Sequence, residues 1–340
     1  MVTPALGHSR RLPTGALLGQ PLLRVLRAWL RPIRTRVRLT LLVRRIVWYY
    51  SAMQIERTAK TLGGFLDIVA DIRAKWQVKN EKELWFRGEG RDYQETRLRP
   101  SLYRPVTGFA LKSPLDLIEI EDDLFQRFLH VSVDMPGGNT DDDSFSYVLM
   151  QHSLAPTRLL DWSDGALVAL HFALRLEHQQ PQDRFVYVLD PYWLIDYIKA
   201  ETNDHESAKR TWIEYCRKYP SKGLDEDDWD ECYLPGEGGH DEVPIPNFPL
   251  LLDFDHFSRR VSAQRSQFVL MGTDADFFNR LLEKTDARIK VIPVDKNLVP
   301  GMRVALRDAG ITESVIYPDL DGLGRELKQL WAERLREPSY

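Results

Sequence analysis

Apolar residues recur at helical spacing between Ile55 and Lys79, where Phe65, Ile68, Val69 and Ile72 fall on one side of the segment TLGGFLDIVADIRAKW. The pattern then changes: Glu83 to Gly88 (ELWFRG) reads as a short strand, with a glycine suited to a turn or a close backbone approach. Residues 115–130 return to helical spacing. Residues 136–143 combine Pro, Gly, Asn and Asp into a loop that leads to an acidic helix start. From Ser144 the chain reads as a helix, a Pro-centred loop and a second helix from about Asp164 to His178, with Asp161, Ser163 or Asp164 as candidate caps. Phe185–Leu189 is a strand that ends at Asp190-Pro191, residues 260–270 alternate into another, and 288–294 form a third. Helices are expected over Leu298–Ala309 and after Gly324.

Short strands interspersed with helices predict an α+β fold, with a small mixed or antiparallel sheet flanked by helices and a strand order left open. Residues 201–246 are rich in charge, Gly and Pro, include the acidic run DEDDWDE at 225–231, and read as a surface insertion. The expected organisation is an Arg-rich extension over 1–54, one domain over 55–333 containing that acidic insertion, and a tail over 334–340.

Charge alters the reading of the first segment. Residues 1–55 hold ten Arg and no acid, so the remainder carries 36 basic against 50 acidic residues. An acidic body disfavours general nucleic-acid binding, which needs clustered cations. Arginine interrupts every apolar run in 1–54 before it reaches the roughly 18–20 residues of a membrane span, so no transmembrane segment is expected. Two sets of readings stay open for this extension. It is an amphipathic helix for an anionic membrane or nucleic acid, or it is a disordered extension or the product of a start codon placed too far upstream. Only Cys216 and Cys232 are present, without metal-ligand spacing, which points to a reducing cytoplasm rather than a disulfide-bonded setting.

Two polar clusters carry the candidate chemistry. Arg87, between Phe86 and Gly88, presents a planar guanidinium that suits a carboxylate or phosphate; the competing reading pairs it with a buried acid such as Asp161. The second cluster runs from Gln151 to Trp162 and holds His152, Thr157, Arg158 and Asp161. His152 suits acid–base work because imidazole titrates near neutrality, and suits a hydrogen-bonded core role equally. Arg158 and Asp161 are candidates for an internal pair, and His171 for a core-facing position. No His-Glu-x-x-His, paired-Cys, P-loop or GxGxxG pattern is present, and no metal site is expected.

The stretches WFRG (85–88), LRPSLYR (98–104), QHSLAPTRLLDWSDGALVALHFAL (151–174), RRVSAQRSQFVL (259–270) and SVIYPDLDGL (314–323) resemble, in order, the motifs of the FRG-domain family, across roughly 55–333. His152-Ser153-Leu154-Ala155 stands where the family more often has His-Tyr-Gly-Leu, and Ser266 where Gly is frequent. The resemblance implies a bacterial family with little assigned activity. A looser analogy to ADP-ribosyltransferases, in fold and site, implies that Arg87 meets the phosphates or ribose of NAD. In that analogy NAD is a substrate rather than a resident cofactor, and Gln264 stands in the region of a catalytic Glu without its charge.

Two functions follow. In one, a nucleotide-dependent transferase or glycohydrolase acts as a toxin or phage-defence effector. Phe86, Arg87, Gly88, Gln151, Thr157 and Arg158 would bind its ligand, and His152, Asp161 and Gln264 would serve catalysis. In the other, the same clusters form a non-catalytic module for an anionic ligand or a protein partner.

Overall fold

A computed structural model describes residues 55–110, 112–135, 143–175, 183–223, 225–235, 243–252 and 258–335; the readings made for 1–54 and 336–340 lie outside these residues. The described chain is α+β, with eleven helices around one antiparallel six-stranded sheet in the order β4-β5-β2-β1-β3-β6. The strands are β1 (Trp85–Glu89), β2 (Leu159–Ser163), β3 (Arg184–Leu189), β4 (Leu250–Leu252), β5 (Ser266–Leu270) and β6 (Ile289–Val294).

The helices are α1 (Leu62–Trp76), α2 (Pro114–Ser132), α3 (Asp143–His152), α4 (Ala166–Ala173), α5 (Pro191–Glu201) and α6 (Asp204–Lys218). They continue with α7 (Arg259–Gln264), α8 (Phe277–Leu281), α9 (Val299–Asp308), α10 (Glu313–Ile316) and α11 (Leu320–Arg334).

Local chemistry sets these limits. Helix α1 starts after Thr61, whose hydroxyl accepts from the Gly64 amide, and buries Phe65, Ile68, Ile72 and Trp76 at i, i+3/i+4 spacing. Residues 55–60, expected in this helix, instead lie along β6, with Ile55 and Ala59 bridging in parallel to Val291 and Val294. Ser113 and Asp116 close a capping box at α2. Asp190-Pro191 begins α5, with Asp190 capping the Trp193 amide.

Two apolar cores hold the sheet. One joins α1, α4 and α9 to Phe86, Val186, Val188, Ile292 and Val294. The other joins α2, α3 and α6 to Leu159, Leu252, Phe268 and Leu270. The second core corrects the reading of 201–246 as a surface excursion: Trp212, Tyr215, Cys216, Cys232 and Tyr233 are buried in it. Their acidic neighbours hid this apolar face from the sequence reading.

Two further differences bear on the site. Residues 159–163 are a strand between β1 and β5, and α4 begins only at Ala166 with no side-chain cap; the Ser163 hydroxyl accepts from the Gly165 amide. Residues 260–264, expected to be extended, fall in α7 after the Ser258 cap, and Arg265 takes a left-handed conformation (φ 49°) before β5.

Candidate functional site

β1 pairs with β3 over all five residues but with β2 only through Phe86 and Ser163. Beyond that pair the β1–β2 ladder is not continued. A backbone acceptor at such a split must find another donor, and Arg87 provides it: Nη1 donates to the Asp161 carbonyl at 2.5 Å. A cavity of about 410 Å³ opens at the split, within the size range of small-molecule sites. It is walled by β1, β2, the 90–104 segment, the end of α3, α7 and Tyr317.

One end of the cavity combines Arg87, Glu89, Tyr93 and Arg104. Arg87 and Glu89 are two residues apart on a strand, so their side chains share a face. Arg87 Nε lies 3.6 Å from Glu89 Oε1, longer than a hydrogen bond. Glu89 is 3% exposed, and burial holds its carboxyl above the usual carboxylate range against the pull of Arg87 and Arg104. Arg104 stacks on Tyr93 with Arg91, at 4.7 and 4.4 Å from the ring centre. Its pKa is lowered by burial and then by the like charge of Arg87.

The other end combines Gln151, His152, Asp161, Arg260, Gln264 and Tyr317. Gln151 Nε2 donates to Asp161 Oδ2 at 3.0 Å and to the Leu159 carbonyl at 3.4 Å, while its oxygen accepts from the Thr157 hydroxyl. Asp161 is not the buried partner expected for Arg87. Its side chain is 48% exposed and its Oδ2 is 4.0 Å from Arg87 Nη1. Burial lowers the His152 pKa; the charge of Asp161 opposes this and that of Arg260 adds to it. Arg260 Nη1 donates to the His152 carbonyl at 3.3 Å, and its guanidinium stacks on Tyr317 at 4.7 Å. Gln264 contributes its buried amide, with Nε2 donating to the Ile316 carbonyl at 3.3 Å.

The structure thus brings Phe86, Arg87, Gly88, Gln151, His152, Asp161 and Gln264 to one cavity. Thr157 and Arg158 are not in its lining. Thr157 is fully buried, orients Gln151 and bonds Ser101 through its amide at 3.0 Å. Arg158 is fully buried too, and its partner is Glu121 rather than the expected Asp161. Nε bonds Glu121 Oε2, the backbone amide donates to Oε1 at 2.6 Å and Nη2 donates to the Tyr233 carbonyl at 2.6 Å.

Gly88 serves the close backbone approach expected of it, and the backbone that approaches is that of α4. A Cβ there would sit 1.9 Å from the Ala169 carbonyl oxygen and 2.6 Å from the Ala173 nitrogen, so the missing side chain admits the backbone of α4 rather than a ligand. His171 faces Glu313 at 3.1 Å rather than the core. Leu154, at the position where the resembled motif has Gly, takes φ 70° and is 90% exposed at the cavity edge; the backbone here is one that glycine adopts without strain.

The segment that carries Arg87, the Gln151 cluster and the β1–β2 split has a counterpart among known proteins. Residues 82–182 match the model of the FRG domain. The chain carries an FRG domain. No curated protein and no solved structure matches the chain. The matched FRG segment supplies Arg87, Glu89, Arg104, Gln151, His152 and Asp161, whereas Arg260, Gln264 and Tyr317 come from beyond it.

Among the lining residues not singled out in the sequence are Glu89, Arg104, Arg260 and Tyr317. Glu89 carries a signal, the two-residue strand spacing from Arg87. The other three lie inside the motifs LRPSLYR, RRVSAQRSQFVL and SVIYPDLDGL, with nothing in their spacing to mark them as convergent. Among the described residues no group of His, Cys, Asp and Glu is placed to hold a metal.

Proposed function

We propose that the cavity binds an anionic ligand of the nucleotide class, with NAD as the first candidate and transfer or hydrolysis of its ribosyl group as the reaction. One observation carries this reading. Arg87, Arg104, Arg175 and Arg260 line the cavity, against Asp161 and Glu89 as its acids. Arg87 and Arg104 are near enough to oppose each other's charge, and a phosphate between them relieves that opposition. Tyr93 and Tyr317 supply aromatic faces at the two ends.

In the catalytic form of this reading, the exposed Asp161 carboxylate faces the positive charge that develops at the ribose as the C1′–N bond breaks and its electron pair leaves on nicotinamide. Water or an acceptor hydroxyl then adds at C1′, and its proton passes to the neutral His152 imidazole. Gln264, held by the Ile316 carbonyl, orients substrate without charge. That absence of charge favours the second reading, a binding module that performs no chemistry. A cellular role as a toxin or phage-defence effector is the setting this activity fits.

The test is calorimetric titration of the full chain with ADP-ribose and with NAD, beside an assay of nicotinamide release. Saturable binding of both with nicotinamide release supports the catalytic form. Binding without turnover, across protein and nucleic-acid acceptors, selects the binding module. Failure to bind either ligand overturns the nucleotide reading.

A further inference from the structure

Glu89 is the one acid in the cavity that is both nearly inaccessible and without a hydrogen bond on either oxygen. Four groups face it: Arg87 from its own strand, Tyr187 from β3, Arg104, and the Leu98 amide. None closes a hydrogen bond of ordinary distance and angle on Glu89, and Arg87 Nε and Tyr187 Oη are themselves buried without one. Nearby Arg97 is occupied by Asp92 at 2.5 Å. Buried carboxyl oxygens in native proteins are nearly always hydrogen-bonded. Unmatched atoms on both Arg87 and Glu89, side by side in the wall of a cationic cavity, mark where a ligand atom completes the set.

Charge decides what that atom is. A ligand oxyanion between Arg87 and Arg104 cannot sit beside an ionised Glu89 at low cost, because like charges at such range disfavour each other strongly. A neutral carboxylic acid removes the repulsion and offers an O–H to the oxyanion. We propose that Glu89 is a ligand-contacting residue that meets the bound anion as a carboxylic acid, so that filling the Arg87–Arg104 site draws one proton onto the protein. This rests on the anion-binding reading of the same cavity.

The direction of the linkage follows. Burial already holds the Glu89 pKa above the ordinary carboxyl value, and a bound anion raises it further. Affinity is therefore full below the Glu89 pKa of the free protein. It falls as pH rises from that value to the pKa of the complex, by about tenfold per pH unit.

ADP-ribose is the probe, because its bridging pyrophosphate keeps a constant charge through the neutral range and any proton counted belongs to the protein. Titration of the full chain in buffers of different ionisation enthalpy, at a pH above the free-protein Glu89 pKa, should show uptake of close to one proton. His152→Gln, which removes the imidazole from the cavity, should leave the count unchanged. Glu89→Gln should bind at least as tightly as the wild type with no uptake and no pH dependence.

Binding by the wild type without uptake, or uptake that persists in Glu89→Gln, overturns the role of Glu89 while leaving the anion site intact. Absence of wild-type binding at every pH overturns both. Should Glu89→Gln not fold, the wild-type affinity decides, since a flat pH profile contradicts the proposal.

Discussion

Glu121 on α2 and Glu89 on β1 are buried almost equally, at 0% and 3% exposure, and each lies against an arginine. Glu121 receives the Arg158 side chain, the Arg158 amide and the Tyr147 hydroxyl. Glu89 receives no hydrogen bond and has Arg87 at 3.6 Å. The first pair packs beside the second core, and protein groups bond both Glu121 oxygens, leaving only Arg158 Nη1 without a partner. The second opens onto a cavity. Equal burial therefore separates two kinds of carboxyl: one belongs to the scaffold, and the other is incomplete until something outside the protein supplies the missing partner.

The sharpest way to break this contrast is Glu121→Ala. It strands the Arg158 guanidinium in the core and should cost about 3–5 kcal/mol, read as a lower denaturant midpoint; a loss below 1 kcal/mol would remove Glu121 and Arg158 from the scaffold. Arg87→Ala comes next. It should weaken ADP-ribose about tenfold to a hundredfold, the equivalent of about 1.5–3 kcal/mol for hydrogen bonds to a charged group, with far less effect on unfolding than Glu121→Ala.

Glu313 extends the comparison to a buried carboxyl that is fully partnered and ionised. Burial opposes ionisation, but hydrogen bonds from His171 and Arg325 and the charge of Arg175 hold its pKa at about 2. With the folded pKa below the ordinary 4.5, its stabilisation is complete above that value and is lost as pH falls toward about 2. Acid unfolding of Glu313→Gln should therefore be flatter over this interval than that of the wild type, followed by circular dichroism. The smallest effect is expected of Leu154→Gly. Release of the left-handed strain, offset by the entropy of glycine, should shift stability by less than about 1 kcal/mol. Any larger change in ADP-ribose affinity would make the exposed Leu154 side chain part of the cavity mouth.

Much of this was legible in the chain. The helical spacing of Phe65, Ile68 and Ile72, the apolar run 185–189 and the two polar clusters located α1, β3 and most of one cavity wall. Arg158 was misassigned because a sequence cannot show that Glu121, 37 positions away, takes its Nε and its backbone amide. Gly88 was read both as a close backbone approach and as a ligand contact, because a glycine in a strand reports only that something comes close; the neighbour is the α4 backbone. Residues 260–264 alternate as a strand does, yet the Ser258 cap starts a short helix there and the left-handed Arg265 ends it, a local override of periodicity. The core face of 201–235 was masked by its acidic neighbours, since net charge outweighs scattered Trp, Tyr and Cys in any composition window.

The most direct test of the contrast is carboxyl NMR on the full chain with ¹³Cδ-labelled glutamate, assigned with Glu89→Gln and Glu121→Gln. The pH is chosen so that the free-protein Glu89 signal lies at its ionised position. Saturating ADP-ribose should carry the Glu89 signal to the protonated position and leave that of Glu121 in place. A Glu89 signal that stays ionised at saturation, or one that moves together with Glu121, would contradict the account.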